Sequence, residues 1–232
     1  MNDSTQVPQP LRRLESSLTR AELADQVVAD RPAVGNAARQ AAVLALFSVA
    51  SNDEPVLTVL ERAHSLRHHA GQIAFPGGGV DPGDPSVEDA ALREADEEIG
   101  LRRDTVRLLG SLPAAHVAVS GFDVTTVVGW WVDPHEVYAR DRAEVESVHH
   151  IPVSHLVDPA NRRIARHPSG YHGPAFLADE LFIWGLTAHL LDGLLDLAGW
   201  ARTWNRADQV EIPARFMRER SRTDPGTGAA TH

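Results

Sequence analysis

A glycine-rich turn between a short apolar strand and a sharply delimited helix constrains the fold of this chain more than any other feature. Residues 72–75 (QIAF) have the pattern of a buried strand, and FPGGGVDPGD (75–84) can continue neither a strand nor a helix. Ser86 with Asp89 three residues later is typical of a helix N-terminus, and Gly100 stands where a left-handed residue ends a helix. The sequence therefore predicts a strand–turn–helix unit with its helix over 86–99.

The apolar runs around this unit predict a mixed α/β fold. Further strands are expected at 41–50, 56–60, 106–112, 123–132 and 148–153. Residues 161–176 are rich in turn formers and predict a long loop or a β-hairpin, and the apolar run 181–200 predicts a mostly buried helix or a dimer contact. Strands and helices in this order favour a sheet covered by helices on both faces.

The two ends of the chain differ in composition from its middle. The spacing of apolar residues over 11–29 predicts an amphipathic helix after a polar leader. Residues from 215 onward are charged and then rich in glycine and threonine, which is typical of disorder. We expect three regions: a partly helical N-terminal extension (1–37), one main domain (38–205) and a C-terminal tail (206–232) that is disordered at its end.

Composition excludes several classes of function. The net charge of −10 over 232 residues argues against a nucleic-acid partner, because such binding depends on a basic face. The absence of cysteine excludes disulfides and thiolate chemistry, and the absence of lysine excludes a Schiff base. No apolar run is long enough to cross a bilayer, and the first ten residues lack the layout of a signal peptide. A cytoplasmic enzyme without a membrane partner is expected.

Three carboxylates share one face of the predicted helix. Glu94, Glu97 and Glu98 stand at positions i, i+3 and i+4. At a separation of about 5 Å and an effective dielectric constant near 20, each pair repels by roughly 3 kcal/mol. A bound divalent cation would remove that repulsion, and ligands that are all oxygen favour Mg²⁺ or Mn²⁺. The alternative is a solvated acidic helix face without a ligand.

Two motifs resemble those of a known family. The pattern G-x5-x-x7-R-E-A-x-E-E-x-G-L from Gly79 to Leu101 resembles the Nudix box, and LRHHAGQIAFPGGGVDPGD (66–84) is similar to the coenzyme A diphosphatase branch of the Nudix hydrolases. The likeness extends over about 38–204. It implies a Nudix α/β/α sandwich and hydrolysis of a nucleoside diphosphate linked to a further group. For this branch, the substrate is coenzyme A, cut to 3′,5′-ADP and 4′-phosphopantetheine.

The resemblance also assigns roles to single residues. It implies a metal site that holds Mg²⁺ or Mn²⁺ and is formed by Gly79, Glu94, Glu97 and Glu98, with Glu97 as either a ligand or the catalytic base. It implies a structural role for Arg93, which can pair with a carboxylate, and for Gly100. The substrate-side signature matches Arg62, Arg67, His69 and Gln72, which are expected to contact phosphates.

The chain departs from the family pattern at several positions. Pro85 stands where the general box has its first glutamate, and Glu88 follows three residues later. Leu60 and Glu61 stand where a threonine and a basic residue are usual. The last two departures bear on substrate preference and leave the reaction class unchanged.

Other residues compete for a role in the site. A catalytic base is expected from the loop that contains Glu144 and Glu146, with Glu144 preferred, although a solvated charged loop explains the same pattern. Of Trp130 and Trp131, strand alternation places at least one in the core, which leaves the other for stacking on an adenine. The histidines fit no zinc-binding spacing.

Two alternatives to coenzyme A hydrolysis remain open at the level of sequence. The chain could cut another diphosphate, such as ADP-ribose, NADH or a nucleoside triphosphate. It could also be a Nudix-fold sensor that binds a nucleotide metabolite without cleaving it, although the complete acid triad argues against this. In each case the partner is a small molecule, and the apolar run 181–200 makes a homodimer an additional expectation.

Overall fold

The computed structural model describes residues 6–19, 39–118, 120–168 and 170–216. Within these ranges the helices are α1 (Arg12–Leu18), α2 (Val87–Ile99), α3 (Val153–Leu156) and α4 (Gly185–Ala198). The strands are β1 (Arg39–Val49), β2 (Pro55–Arg62), β3 (Ile73–Ala74), β4 (Gly77–Gly79), β5 (Val106–Ser111), β6 (Ala115–Val117), β7 (Phe122–Trp131), β8 (Val145–Pro152), β9 (Arg162–Arg166), β10 (His172–Ala178), β11 (Leu181–Ile183) and β12 (Gln209–Glu211).

A mixed sheet built around β1 forms the centre of the fold. Its main path runs β3-β2-β1-β7-β5, and β4, β6 and β8 pair with β1, β7 and β2, respectively. Strands β1 and β7 are parallel over nine residue pairs, whereas β1 and β2 are antiparallel, as predicted for 41–50 and 56–60. Because β4 pairs with the first half of β1, the glycine-rich turn lies against the middle of the sheet.

Side chains of the central strands alternate between two cores. On β1, Leu44 and Leu46 face the core that includes the apolar side of α2, and Ala45 and Phe47 face the core that includes α1 and α4. This period of two is what a strand buried on both faces requires. The helices on both faces of a mixed sheet confirm the expected α/β/α sandwich with an N-terminal helix.

Both tryptophans of β7 are part of these cores. Trp130 is 7% exposed in the core of α1 and α4, and Trp131 is 2% exposed in the core of α2, with its indole Nε1 donating to Thr105 Oγ1 at 3.1 Å. The expectation that one of them is free to stack on an adenine is therefore wrong. The reason is that helices cover both faces of the sheet at β7, α1 and α4 on one face and α2 on the other.

The apolar run 181–200 is divided between a strand and a helix. Leu181–Ile183 pair with β10 across a tight turn in which Asp179 has a φ of 53°, and the helix begins only at Gly185. The prediction of one continuous helix is wrong for its first residues, because pairing with the adjacent strand satisfies their backbone groups. Residues 161–176 form part of a β-hairpin, β9–β10, which was one of the two predicted outcomes.

Both terminal regions contribute to the folded unit. In α1, Leu14 is fully buried, and Leu18 is nearly so, in the core shared with α4; the part of the predicted 11–29 helix beyond residue 19 lies outside the described residues. At the other end, β12 pairs in parallel with β9, and Ile212 is buried. Residues 209–216 of the predicted tail are thus folded, whereas 217–232 lie outside the described residues. Among the helices described, none is long and apolar enough to cross a membrane.

Candidate functional site

Helix α2 presents its carboxylates at the edge of the glycine-rich turn. The Ser86 hydroxyl caps its first turn by accepting the backbone N–H of Asp89 at 3.1 Å. At the other end, the N–H of Gly100, whose φ is +72°, donates to carbonyls of the last turn. Ala95 and Ile99 are fully buried against the sheet, so the opposite side of the helix faces outward. Local sequence rules thus fix the helix and its acidic face, as predicted.

Glu98 is the buried acid of the site. Its side chain is 3% exposed, and its Oε2 accepts the backbone N–H of Gly77 at 2.8 Å. Burial raises the pKa of Glu98 to about 8, although the Gly77 bond and the nearby Arg62 charge oppose that rise. The charges of Glu94 and Glu144 raise it further. Burial and the negative neighbours therefore outweigh the Arg62 charge, which disfavours the anionic form of Glu98 in the metal-free protein.

Glu94 lies one helical turn before Glu98 and touches the glycine turn. Burial raises its pKa, and the adjacent charges of Glu97 and Glu144 add to that rise, while Arg93 opposes it. A Cβ atom on Gly78 would stand 2.6 Å from the Glu94 carboxyl carbon, which is closer than real contacts allow. Only glycine at position 78 therefore leaves room for the Glu94 carboxylate where it stands.

Arg93 connects the glycine turn to two of the carboxylates. Its Nη1 donates to Glu94 at 2.9 Å and to Glu97 at 3.2 Å, and its Nη2 donates to the carbonyl of Gly79 at 3.1 Å. Its Nε and Nη2 also donate to the two oxygens of Asp84 at 2.9 and 3.0 Å. Asp84 raises the already high pKa of Arg93, so this guanidinium is always charged.

Sequence reasoning did not select Asp84 for this site. The signal that could have found it is its place directly before Pro85, where the box pattern has an acid. Glu88, the other acid near that gap, accepts the Ser111 hydroxyl at 3.3 Å on the side of β5.

The donor set fits a divalent cation. In the described part of the chain, no three acidic or imidazole side chains converge on one point as they stand. Glu94 and Glu97 both pair with Arg93, whereas Glu98 accepts the N–H of Gly77. A buried acid and a desolvated acid side by side are nevertheless what a hard cation stabilises, and their oxygens match the preferences of Mg²⁺ and Mn²⁺. The close fit of Gly78 around Glu94 supports the same conclusion.

The 62–72 loop folds back beside this acidic site. The N–H of Arg62 donates to Gln72 O, and the N–H of Gly71 donates to Arg62 O, both at 2.9 Å, which closes the loop at its base. Within it, His69 Nδ1 lies 3.1 Å from Gln72 Oε1, and His69 takes a left-handed φ of 59°. Arg67 and His69 are exposed. Arg62 lies close enough to Glu98 for its charge to lower the pKa of that carboxyl.

Glu144 reaches the acidic site from the loop before β8. Its charge raises the pKa values of both Glu94 and Glu98, and its carbonyl accepts the N–H of Ala63 at 2.8 Å. Glu144 is exposed. Glu146, the other candidate, lies within β8 and is also exposed. The structure thus brings Glu144 to the helix carboxylates that sequence separates by about fifty positions.

The histidines near this region form a separate group around Glu61. His64 Nε2 lies 3.4 Å from Glu61 Oε1, and His149 Nε2 lies 3.9 Å from Oε2. The next residue, His150, instead places its Nδ1 3.0 Å from the Thr58 hydroxyl. Glu61 therefore accepts interactions from neighbouring histidines on the side of β2 opposite to Arg62.

Known proteins resemble this chain in sequence. Residues 38–168 match the family model described as NUDIX domain. The protein named "Uncharacterized Nudix hydrolase NudL" of Cronobacter sakazakii is 40% identical over 161 residues, which cover 66% of this chain and 79% of that protein. Its counterpart in Citrobacter koseri is 38% identical over 187 residues, which cover 76% of this chain and 93% of that protein.

A solved structure has the same fold. RenU, a Nudix hydrolase from M. smegmatis, superposes with a TM-score of 0.52 at 19% identity, over 72% of this chain and 90% of that one. At this identity the likeness concerns the fold alone.

Proposed function

Since the chain belongs to the NUDIX domain family, we propose that it is a divalent-metal-dependent pyrophosphohydrolase that cuts coenzyme A or its derivatives. The products would be 3′,5′-ADP and 4′-phosphopantetheine. Membership of the family supports three statements: the reaction class, a small-molecule nucleotide diphosphate as substrate, and the need for a divalent metal. The identity of the substrate, the choice of Mg²⁺ or Mn²⁺ and the roles of single residues are the proposal.

The observation that carries the proposal is the position of the 62–72 loop. This loop contains the stretch that resembles the coenzyme A diphosphatase branch, and its base is bonded to the Glu144 loop through Ala63. The charge of Arg62, the first residue of the loop, lowers the pKa of the buried Glu98. A substrate diphosphate that contacts the loop would therefore lie beside the carboxylates of α2.

The metal would be held by carboxylates of α2 and the turn before it. The proposed ligands are Glu94, Glu98 and Glu97, with the carbonyl of Gly79. A divalent cation bound there would neutralise the diphosphate and lower the pKa of a bound water. In the structure Arg93 donates to Gly79, Glu94 and Glu97, so it would compete with a cation for these oxygens. We propose structural roles for Arg93, which pairs with carboxylates of the site, and for Gly100, which ends α2.

A carboxylate beside the metal ligands would take the proton of the attacking water. Glu97 and Glu144 are the two candidates. Glu97 is tied to Arg93, whereas the exposed Glu144 stands close enough to Glu94 and Glu98 to raise the pKa values of both. We therefore favour Glu144 as the general base for in-line attack at phosphorus.

The 62–72 loop supplies cationic and hydrogen-bonding side chains for the substrate. Arg62 would contact the diphosphate, because it lies beside Glu98 and its Nε has no partner among the described residues. Arg67 and His69, which are exposed on the same loop, would contact further phosphate oxygens. Gln72 would orient the His69 ring, since the two side chains are 3.1 Å apart.

We also propose how the chain is divided among regions. Residues 38–205 would form the hydrolase domain, with 1–37 as an N-terminal extension, of which the described residues 6–19 pack on the domain, and 206–232 as a C-terminal segment whose start is folded. A homodimer through 181–200 remains a prediction, and the apolar residues of α4 that are buried lie in the core of this same chain.

A substrate panel tests the proposal. Purified protein with Mg²⁺ or Mn²⁺ is given coenzyme A, ADP-ribose, NADH or a nucleoside triphosphate at equal concentration, and products are separated by chromatography. We expect selective consumption of coenzyme A with equimolar 3′,5′-ADP and 4′-phosphopantetheine. Dephospho-coenzyme A is the matched control, because it lacks only the 3′-phosphate that Arg67 and His69 of the loop would contact.

Each alternative predicts a different outcome of the panel. Preferential cleavage of ADP-ribose, NADH or a triphosphate would keep the reaction class and reject coenzyme A as the substrate. Saturable binding of a nucleotide with no product under saturating metal would indicate the non-catalytic sensor instead.

A further inference from the structure

Asp84 anchors Arg93 at the base of the acidic site. The two carboxylate oxygens of Asp84 accept parallel bonds from Arg93 Nε at 2.9 Å and Nη2 at 3.0 Å. The Asp84 side chain is 7% exposed, and its Oδ2 also accepts the backbone N–H of Asp81 at 2.8 Å. Bidentate pairs of this kind fix both the position and the plane of a guanidinium. Arg93 holds the pKa of Asp84 below its ordinary value, so Asp84 remains an anion.

The same guanidinium reaches the proposed metal ligands from its other edge. Arg93 Nη1 donates to Glu94 and Glu97 at 2.9 and 3.2 Å. Because a guanidinium is planar and rigid, an anchor on its Nε and Nη2 side sets where its Nη1 side stands. Asp84 touches neither Glu94 nor Glu97 through any hydrogen bond in the described residues, so its influence on them passes through Arg93.

We infer that Asp84 is a positioning residue for the metal-binding carboxylates, which it acts on through Arg93. This inference rests on the proposed function, since it assumes that Glu94 and Glu97 bind a cation. Asp84 supplies its carboxylate one residue before Pro85, the position where the general box has its first acid. Asp84 thus supplies, from the preceding position, the carboxylate that Pro85 cannot provide.

The physical effect of Asp84 is to balance the charge of Arg93. With Asp84 in place, Arg93 has a carboxylate partner of its own and can release Glu94 and Glu97 to a cation. Without it, the Arg93 charge is balanced mainly by those two ligands, since the exposed Asp81 lies 3.7 Å away, and a cation would compete with Arg93 for them. Loss of a partner of this kind typically lowers metal affinity by about 10- to 100-fold.

The affinity for Mn²⁺ tests this inference without substrate or turnover. The dissociation constant is measured by electron paramagnetic resonance of free Mn²⁺ for wild type, Asp84→Asn and the control Asp81→Asn. Asp81 has the same charge and lies in the same loop, but its side chain is 71% exposed and 3.7 Å from Arg93 Nη2. We expect about 10- to 100-fold weaker binding for D84N and a change within about twofold for D81N. Equal losses in both variants would show that only overall charge matters, which would overturn the inference.

Two further variants separate positioning from charge. Asp84→Glu keeps the carboxylate but moves it by one methylene, so a positioning role predicts weaker Mn²⁺ binding, and unchanged binding would contradict that role. In an Arg93→Ala background, D84N should cause no additional loss, because Asp84 acts through Arg93. Additive losses in this double-mutant cycle would reject the proposed route. D84E decides the matter by itself if circular dichroism shows that D84N is unfolded, because the double-mutant cycle requires a folded D84N variant.

The outcomes distinguish this inference from the proposed function. If wild type binds no Mn²⁺ at all, the metal-dependent function fails. If wild type binds Mn²⁺ and D84N binds it equally well, the function stands and only the role of Asp84 is rejected.

Discussion

At the scale of single residues, the buried carboxyl of Glu98 dominates the electrostatics of the site. Its pKa is about 8 in the folded protein and near 4.5 when exposed, because burial disfavours the anion. The folded protein therefore binds a proton at Glu98 more tightly than the unfolded chain does. The stability that this proton contributes is fully present below about pH 4.5 and is lost as the pH rises through about 8. A divalent cation would replace the proton at higher pH.

Replacement of Glu98 by glutamine should separate stability from catalysis. In metal-free buffer, Glu98→Gln removes the cost of a buried anion, so its thermal midpoint should exceed that of wild type by several degrees at about pH 9. At about pH 5 the two midpoints should be similar. Turnover should fall by at least about 100-fold, since a direct ligand is lost. Calorimetric scans at both pH values and product assays measure these effects.

The comparison with an exposed acid provides the control for this prediction. Asp96→Asn changes an exposed carboxylate of the same helix and should leave the pH dependence of the midpoint as in wild type. A Glu98→Gln variant that retains full turnover would contradict the assignment of Glu98 as a metal ligand.

At the scale of elements, the site depends on how closely strand β4 approaches helix α2. The N–H of Gly77 bonds to Glu98, and Gly78 lies directly under the Glu94 carboxylate. Both contacts arise because β4 pairs with β1, and α2 packs on the face of the sheet to which Leu44 and Leu46 of β1 point. A side chain on β4 at this point would occupy the space of a carboxylate.

An alanine at position 78 should impair the site while leaving the fold intact. Its Cβ would stand 2.6 Å from the Glu94 carboxyl carbon, and the flexible end of the Glu94 side chain would move away. We expect turnover to fall by about tenfold or more, as for other misplaced metal ligands, with little change in thermal midpoint. Gly83→Ala is the matched control, because a Cβ there meets no atom within 4 Å. Equal activities of the two variants would show that the Glu94 carboxylate is not held in this position.

At the scale of the whole molecule, the N-terminal helix is an integral part of the core. Leu11 and Leu14 of this region are fully buried, and Glu15 pairs with Arg107 of β5 at 2.9 Å. Close to α4, the Arg162 guanidinium is 1% exposed, pairs with Asp192 and lies 4.1 and 4.7 Å from the ring centres of Phe176 and Trp204. Segments that are distant in sequence thus share one packed layer on the face of the sheet that α1 and α4 cover.

Truncation of a leucine in α1 should measure this integration. Leu14→Ala removes a fully buried side chain and leaves a cavity, so it should lower the free energy of unfolding by about 2–5 kcal/mol. Ser16→Ala, an exposed position of the same helix, should change it by less than about 0.5 kcal/mol. Urea unfolding followed by tryptophan fluorescence gives both values. If Leu14→Ala has no larger effect than Ser16→Ala, the helix does not contribute to the core in solution.

Local rules in the sequence determined the parts of the fold that depend on near neighbours. Capping at Ser86, the glycine at position 100 and the apolar spacing between them fix α2, and the same spacing groups Glu94, Glu97 and Glu98 on one face of the helix. The strand patterns of β1, β2, β5 and β7 follow equally from alternation and β-branched residues. Each of these features depends on interactions within a few residues along the chain, which is why one sequence sufficed to predict them.

Only the tertiary structure decided which of these residues are buried and which meet. Three carboxylates on one helix look alike in sequence, yet only Glu98 is almost completely buried and has its pKa raised to about 8, while Glu97 remains exposed. The sequence could not show that Asp84 binds Arg93 or that Trp130 and Trp131 are both covered. Burial and ion pairing depend on surfaces brought together from distant parts of the chain, and local patterns contain no information about that approach.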